Sequence, residues 1–589
     1  MTIPKRAWPR VSAVIWPLII PAVAACSDSR ETGGSDASSD GRVAEASLPP
    51  LPDASSECQA AVAQGAMRGK AAGATCEYLG IPYAAPPVGP LRFAPPLAAA
   101  GWSGVRDATQ PGPWCIQSPP ASDGNTYSED CLVLNVYAPK TAPSQPLPVM
   151  VFIHGGGFTG GSGNEYDAQA LAEAGPVVVI TLNYRLGVLG YLALRELDAQ
   201  RSGVPSGTDG IRDQQLALRW VKANAGTFHG DPTNVTVFGE SAGSVSTVIH
   251  LVSPGSVGLA HRYIMESGAA LDPPGTTPSQ AHGYAVGQLL ATSFCGAPAN
   301  SVLEDAGVDE GGAEAGADGA LPDGALADAS ALDPVACLRA ANPSALMAWA
   351  APPSLEELTS SFLPIVDGPG GVLPDLPANL IAAGTYDKDA AILAGTNRRE
   401  WGLLNQLSGA PTNLTSIAAF DQLLDMSLPS IAPQIKMLYP VLTDADAQDA
   451  YLSVLTDFFF RCPTRDLALA TTSHGTKDFY LYSYEVGRAF HTDELLALFA
   501  LEGPFFPTVV PPPTIPSAPF QSQMKDYWTR FAATGDPNLP GAPGPAWPTY
   551  DAATESRIVL TDPAPSVGMM PDDAACKFWS GRNYATTGP

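Results

Sequence analysis

Gly239-Glu240-Ser241-Ala242-Gly243 follows directly on the run Asn234-Val235-Thr236-Val237-Phe238. The β-branched and aromatic residues favour a strand, and glycines two before and two after Ser241 let that strand turn at once into a helix. Such a turn lifts the Ser241 hydroxyl clear of the C-terminal edge of a sheet. In a chain with 57 glycines the five-residue pattern is weak by itself. A second feature gives it weight: the apolar run Pro148–Ile153 ends in His154-Gly155-Gly156-Gly157-Phe158. A glycine-rich loop behind a strand exposes backbone N–H groups that can face an oxyanion. A nucleophile and an anion-binding loop are two parts of one hydrolytic device.

Around these parts, β-type runs alternate with helical stretches. Val149–Ile153 and Val177–Thr181 read as strands, Gly210–Ala225 as a helix, Val235–Phe238 as a strand and the segment from Ser241 as a helix. That alternation predicts an α/β protein with a central, mostly parallel sheet flanked by helices. With 45% hydrophobic residues the chain can bury a large core, and 59 prolines point to long irregular loops. The net charge of -27 repels nucleic acid and anionic membrane surfaces. The functional parts begin at His154 and extend past residue 400, and they have to converge in space. One large catalytic domain over 57–585 is therefore expected, interrupted by a disordered acidic surface insertion at 301–333. The spacing of acids in that insertion fits no calcium loop.

The first 25 residues read as a signal peptide, with Lys5, Arg6 and Arg10 ahead of the apolar stretch Val11–Ala25. Its end, Val23-Ala24-Ala25-Cys26, resembles a bacterial lipobox, in which Cys26 is lipidated and becomes the mature first residue; the alternative is ordinary cleavage after Ala22-Val23-Ala24. Residues 26–56 read as a disordered tether. The expectation is an exported protein, anchored at a bacterial envelope only through that lipid, or otherwise secreted or periplasmic. Nine cysteines leave eight once Cys26 is set aside. Exported chains favour disulfides, and sequence neighbours pair as Cys58 with Cys76, Cys115 with Cys131, Cys295 with Cys337 and Cys462 with Cys576. One or two buried thiols are the alternative.

A serine hydroxyl needs a base, and the base needs a carboxylate to hold its tautomer. In strand–turn–helix hydrolases the chain order is serine, acid, histidine. Seven histidines exist in all. Ala390–Ala394 reads as a strand whose following loop carries Glu400, and only His474 and His491 lie beyond it. Phe479–Tyr484 alternates as a strand, which places His474 before it and His491 after it. Catalytic groups gather at the carboxyl ends of parallel strands, which selects His491. Position does not single out Glu400 among the acids that precede His491. No His/Cys cluster suggests zinc, so neither a metal nor an organic cofactor is expected.

At this point the residues match a known family. The chain resembles the type B carboxylesterases, the α/β-hydrolase group that includes cholinesterases, bacterial nitrobenzyl-type esterases and fungal lipases. The resemblance covers most of residues 58–580. It is carried by Gly80-Ile81-Pro82-Tyr83-Ala84, Leu91-Arg92-Phe93, Glu129-Asp130-Cys131-Leu132-Val133-Leu134-Asn135-Val136-Tyr137, the His154–Phe158 loop, Asn183-Tyr184-Arg185-Leu186-Gly187, the stretch from Asp213 through Trp220 to Asn224, and the Ser241 turn. It implies Ser241 as nucleophile, Glu400 as acid and His491 as base, with an oxyanion hole from the N–H groups of Gly156, Gly157 and Ala242. It also supports the Cys115–Cys131 pair.

The implied activity is hydrolysis of small-molecule carboxylic esters through an acyl-enzyme. A lipase or amidase using the same triad is an alternative, and a non-catalytic cell-surface binding or adhesion protein is the alternative from another class. Relatives of that last kind generally lack triad members, whereas this chain keeps them all. Four positions depart from the family pattern. Thr492 and Trp401 stand where glycine is common, and the place of the choline-stacking tryptophan of cholinesterases falls near Ala121, which argues against choline esters. Ser244 is a mild variation at the elbow. Phe458, Phe459, Phe460, Phe499, Phe505 and Phe506 are candidates for an acyl pocket or for plain core. Oligomeric state is not legible.

Overall fold

Parallel strands covered on both faces must be apolar throughout, and Leu147–Ile153 is such a strand: from Val149 to Ile153 every residue is fully buried. The computed structural model describes residues 58–583 apart from 118–123, 270, 272–276, 297–332, 350–361, 408–413, 502–511, 539–543 and 570–572. The leader, Cys26, the tether, Ala121, Phe505, Phe506 and all of the acidic insertion but Asp333 lie outside the described residues.

One eleven-stranded sheet organises the described chain. Its strands are β1 (Lys70–Ala72), β2 (Thr75–Pro82), β3 (Val133–Pro139), β4 (Leu147–Ile153), β5 (Val178–Leu182), β6 (Gly230–Glu240), β7 (Arg262–Glu266), β8 (Ala391–Asn397), β9 (Phe479–Tyr484), β10 (Ser556–Leu560) and β11 (Ser566–Met569). The spatial order is β11-β10-β9-β8-β7-β6-β4-β5-β3-β2-β1. From β5 through β10 all neighbours are parallel, and the outer strands at both edges are antiparallel.

Register brings distant segments to one level. Ile153 pairs with Gly239, Glu240 with Glu266, Glu266 with Gly395, and Asn397 with Tyr484. The carboxyl ends of β4, β6, β7, β8 and β9 therefore form one rim, from which the loops bearing His154, Ser241, Glu400 and His491 emerge. The expected strand at 235–238 is the buried inner part of a longer β6. The helix expected at 210–225 is α1 (Asp209–Asn224), and the one expected from Ser241 is α2 (Ala242–Val252), with Ser241 itself at its N-cap.

Side-chain alternation divides the core between the two faces. Val149, Val151 and Ile153 point into one cluster, while Met150 and Phe152 point into the other. A third cluster, around Trp401, Phe460 and Trp579, includes the pair Cys462 and Cys576. The structure joins Cys58–Cys76, Cys115–Cys131, Cys295–Cys337 and Cys462–Cys576, with Cα separations of 5.5, 5.0, 6.0 and 4.9 Å.

The β6–α2 turn explains its own glycines. A Cβ on Gly243 would lie 1.9 Å from the Ile153 carbonyl oxygen, and one on Gly239 would lie 2.6 Å from the same atom and from the Gly243 carbonyl carbon. Backbone is in the way on both sides, so no rotamer relieves the overlap. Gly243→Ala is expected to cost about 3 kcal/mol or more, read as a lowered denaturant midpoint; an unchanged midpoint would mean that the helix does not pack this tightly. Cys462 and Cys576 are 114 residues apart. Replacing both by alanine is expected to cost about 4 kcal/mol through loop entropy restored to the unfolded chain, and an unaltered melting temperature would contradict this.

Candidate active site

Ser241 leaves the sheet in a conformation few non-glycine residues adopt, φ 55° and ψ -121°. Backbone of this kind stores about 1–3 kcal/mol. It is held by the Ser241 N–H, which donates to Glu266 O on the next strand (2.9 Å), and by Val245 N–H, which donates back to Ser241 O (2.9 Å). The nucleophile is thereby fixed at the start of α2, and its side chain is only partly buried.

The glycine loop runs beside it. Gly156 and Gly157 have φ of 99° and 61°, and a Cβ on Gly156 would meet Gly160 O at 2.3 Å. Gly156 O accepts from Thr159 N–H (3.1 Å) and Gly160 N–H (3.0 Å), closing a tight turn. The N–H groups of Gly156 and Gly157 make no backbone hydrogen bond among the described residues. Ala242 opens α2, where an N–H has no intrahelical acceptor. Below the loop His154 is enclosed: its ring stacks on Tyr184 at 4.4 Å, its Nδ1 bonds Gly155 O (2.8 Å), and Tyr184 Oη donates to its carbonyl (2.9 Å). Burial lowers its pKa to about 4, so it is a neutral spacer at neutral pH.

At the ends of β8 and β9 two loops are zipped together. Arg398 N–H donates to Tyr484 O (3.0 Å), Arg399 N–H to Ala489 O (2.9 Å) and His491 N–H to Glu400 O (3.3 Å). Asn397 Nδ2 donates to Phe490 O (2.6 Å). In this frame Glu400 Oε2 meets His491 Nδ1 at 2.7 Å, and its Oε1 accepts from Asn397 N–H at 2.6 Å. Both side chains are almost fully buried. The other downstream candidate, His474, caps a helix, bonded through Nδ1 to Ala470 O (2.8 Å) and to Ser473 Oγ (3.1 Å). It is thus His491, and not His474, that the structure brings to Glu400.

Three buried acids in the same place were not singled out by the sequence. Glu240, inside the serine turn, puts Oε1 3.1 Å from His491 Nε2. Glu266 accepts from Trp528 Nε1 at 3.0 Å. Glu494 accepts from Ser267 Oγ at 2.9 Å and from Asn397 Nδ2. Burial, reinforced by neighbouring carboxylates, pushes all three well above the ordinary glutamate range. The one available signal was positional: Glu240 and Glu266 each close a strand that otherwise reads as buried.

The aromatic candidates separate. Phe460 lies 5.0 Å from the His491 ring, and Phe459 stacks on Trp401 at 4.6 Å. Phe499 instead packs on Phe152, Tyr166 and Phe238 in the core of the opposite face. Trp401 is buried, so the large residue that replaces a common glycine fills space beneath the site. Thr492 has φ 73°, a left-handed value that a glycine would take without strain. Other motif residues hold the scaffold: Arg185 engages Asp213 through two bonds of 2.8 and 2.7 Å, and Arg92 engages Glu129 through two of 2.6 Å.

Comparison with known proteins agrees with this geometry. A family model described as the carboxylesterase family matches residues 56–579. The chain is 32% identical over 544 residues to a cocaine esterase of Oryctolagus cuniculus, which covers 85% of this chain and 90% of the relative. It is 31% identical over 537 residues to an acylcarnitine hydrolase of Mus musculus (85% and 86%) and 31% identical over 541 residues to a pyrethroid hydrolase of Rattus norvegicus (85% of each). The strand–turn–helix bearing Ser241, set in an α/β-hydrolase sheet, and these matches lead to one conclusion: the chain belongs to the carboxylesterase family and is a carboxylic ester hydrolase.

Proposed function

We propose that Ser241, His491 and Glu400 carry the hydrolysis as nucleophile, base and orienting acid. The observation that supports this most is the 2.7 Å contact between Glu400 Oε2 and His491 Nδ1 on the rim that also bears Ser241. Glu400 keeps the proton on Nδ1, leaving the Nε2 lone pair free to take the Ser241 proton. The serine oxygen attacks the ester carbonyl, and the new oxyanion is received by the N–H groups of Gly156, Gly157 and Ala242, each worth about 3 kcal/mol in such a role. The imidazolium protonates the departing alcohol. Water, deprotonated by the same nitrogen, then releases the acid.

Substrates in this reading are small uncharged or cationic esters, since a chain with net charge -27 steers anions away. The relatives named as a cocaine esterase and a pyrethroid hydrolase are consistent with that choice. The catalytic domain is proposed to span 57–585, with 301–333 as a surface insertion. Residues 1–25 are proposed as an export leader and 26–56 as a tether, with Cys26 lipidated at a bacterial envelope; this part is supported by the sequence alone.

Ser241→Ala and His491→Ala are each expected to abolish turnover of nitrophenyl esters, with no further loss in the double variant. Glu400→Gln is expected to lower kcat by about 10⁴-fold. Assays across acyl chains from acetate to palmitate check this and rank chain length; a Ser241→Ala protein that still turns over would remove the assignment. Mass spectrometry of the protein recovered from a bacterial host is expected to find a diacylglyceryl mass on Cys26. An unmodified Cys26, or cleavage elsewhere, would exclude the anchor.

A further inference from the structure

Beneath the triad lie carboxyl groups that acyl transfer does not use. Glu240 and Glu266 close adjacent parallel strands as register partners, so their side chains leave the same face of the sheet side by side, at the ordinary strand spacing of about 4.8 Å. They are 1% and 0% exposed. Each keeps one enclosed oxygen without a hydrogen-bond partner, Oε1 in Glu240 and Oε2 in Glu266. The other oxygen of Glu266 is occupied by Trp528 Nε1.

Among the described residues, the surrounding groups offer the pair no positive charge other than His491. Glu400 bonds its Nδ1, and Glu494 is engaged by Ser267 and Asn397. Arg488 is bound to Asp493 through contacts of 3.0 and 2.8 Å. The phenols of Tyr482 and Tyr166 are held neutral by burial and by these same carboxylates. Nor are these acids grouped as metal ligands among the described residues. Two desolvated carboxyl groups side by side cannot both ionise, and an unpartnered buried oxygen is costly. A single proton between them would satisfy both orphan oxygens as an O–H···O⁻ bond.

We propose that Glu240 and Glu266 share one proton, which passes from Glu240 to Glu266 as His491 becomes an imidazolium. With the imidazole neutral, the proton rests on Glu240 Oε1, and no negative charge bears on the Nε2 lone pair. When Nε2 takes the Ser241 proton, the O–H bond on Glu240 breaks and one forms on Glu266 Oε2. The pair keeps its single negative charge, now on Glu240 and 3.1 Å from the protonated nitrogen. Glu240 thus touches a reacting atom, while Glu266 acts through it as a positioning residue. This rests on the triad reading, because it needs His491 to take the serine proton.

The isosteric variants Glu266→Gln and Glu240→Gln test both members of the pair in the full chain. Without a partner to take its proton, Glu240 stays protonated in Glu266→Gln and supplies no charge to the imidazolium, so the acid limb of kcat/KM is expected to move down by about one pH unit. In Glu240→Gln the charge beside Nε2 is gone, and the limb is expected to move down by a similar amount. Both variants are expected to lower kcat with KM unchanged. Infrared spectroscopy without substrate supplies an arm that needs no turnover: the wild-type-minus-variant difference is expected to show a protonated-carboxyl stretch for each substitution. An upward limb shift in either variant, no shift, or no such band would overturn the proposal. Failure of the triad reading would show separately, as turnover retained by Ser241→Ala.

Discussion

The constraint on which the site depends is the common level at which β4, β6, β7, β8 and β9 end. Parallel hydrogen bonding fixes that level residue by residue, through Ile153 with Gly239, Glu240 with Glu266, and Glu266 with Gly395. A slip of one position would turn every side chain to the opposite face. The serine turn would then lose the Glu266 carbonyl that holds it, and the Gly243 backbone could no longer pass the end of β4. Loops over 300 residues apart in sequence meet because buried strands leave them no other exit.

Desolvation is the second theme. Closing the rim places Glu240 and Glu400 against one imidazole, with Glu266 and Glu494 buried among the same strand ends, all with almost no access to water. In such surroundings a charge is stabilised only by what the protein has already placed there, which strengthens the response to a developing imidazolium and also limits how many acids can ionise. Fixed donors absorb part of the charge: Asn397 N–H on Glu400, Ser267 on Glu494, and Trp528 on Glu266. The strain at Ser241 and Thr492 is borne by the same tightly hydrogen-bonded frame.

How much was legible in the sequence follows from what each feature requires. The serine turn could be read because its steric demands leave a trace in residue type, Gly239 and Gly243. Phe479–Tyr484 was read to the residue because a strand with aromatics on alternating positions has few other uses, and the helix after residue 209 was read to within a turn. Neighbouring cysteines are joined in the pairs that proximity suggested. Glu400 was different: which acid reaches Nδ1 depends on loop geometry, and residue type carries no record of it without the family likeness. Glu240 and Glu266 leave only a positional trace in sequence, at the ends of strands that read as buried, and Glu494 looks like an ordinary surface acid; tertiary packing buries all three. The aromatic run at 458–460 could not be divided between core and site, since Phe460 touches His491 while its neighbours brace Trp401 and Trp579.

The most direct test of the central claim, that a rim of aligned strand ends activates Ser241 through His491, is covalent trapping by an organophosphonate followed by peptide mass spectrometry. The account predicts one adduct, on Ser241, formed rapidly by the wild type and at a greatly reduced rate by His491→Ala. Labelling at another residue, or equal labelling of Ser241 without His491, would contradict it.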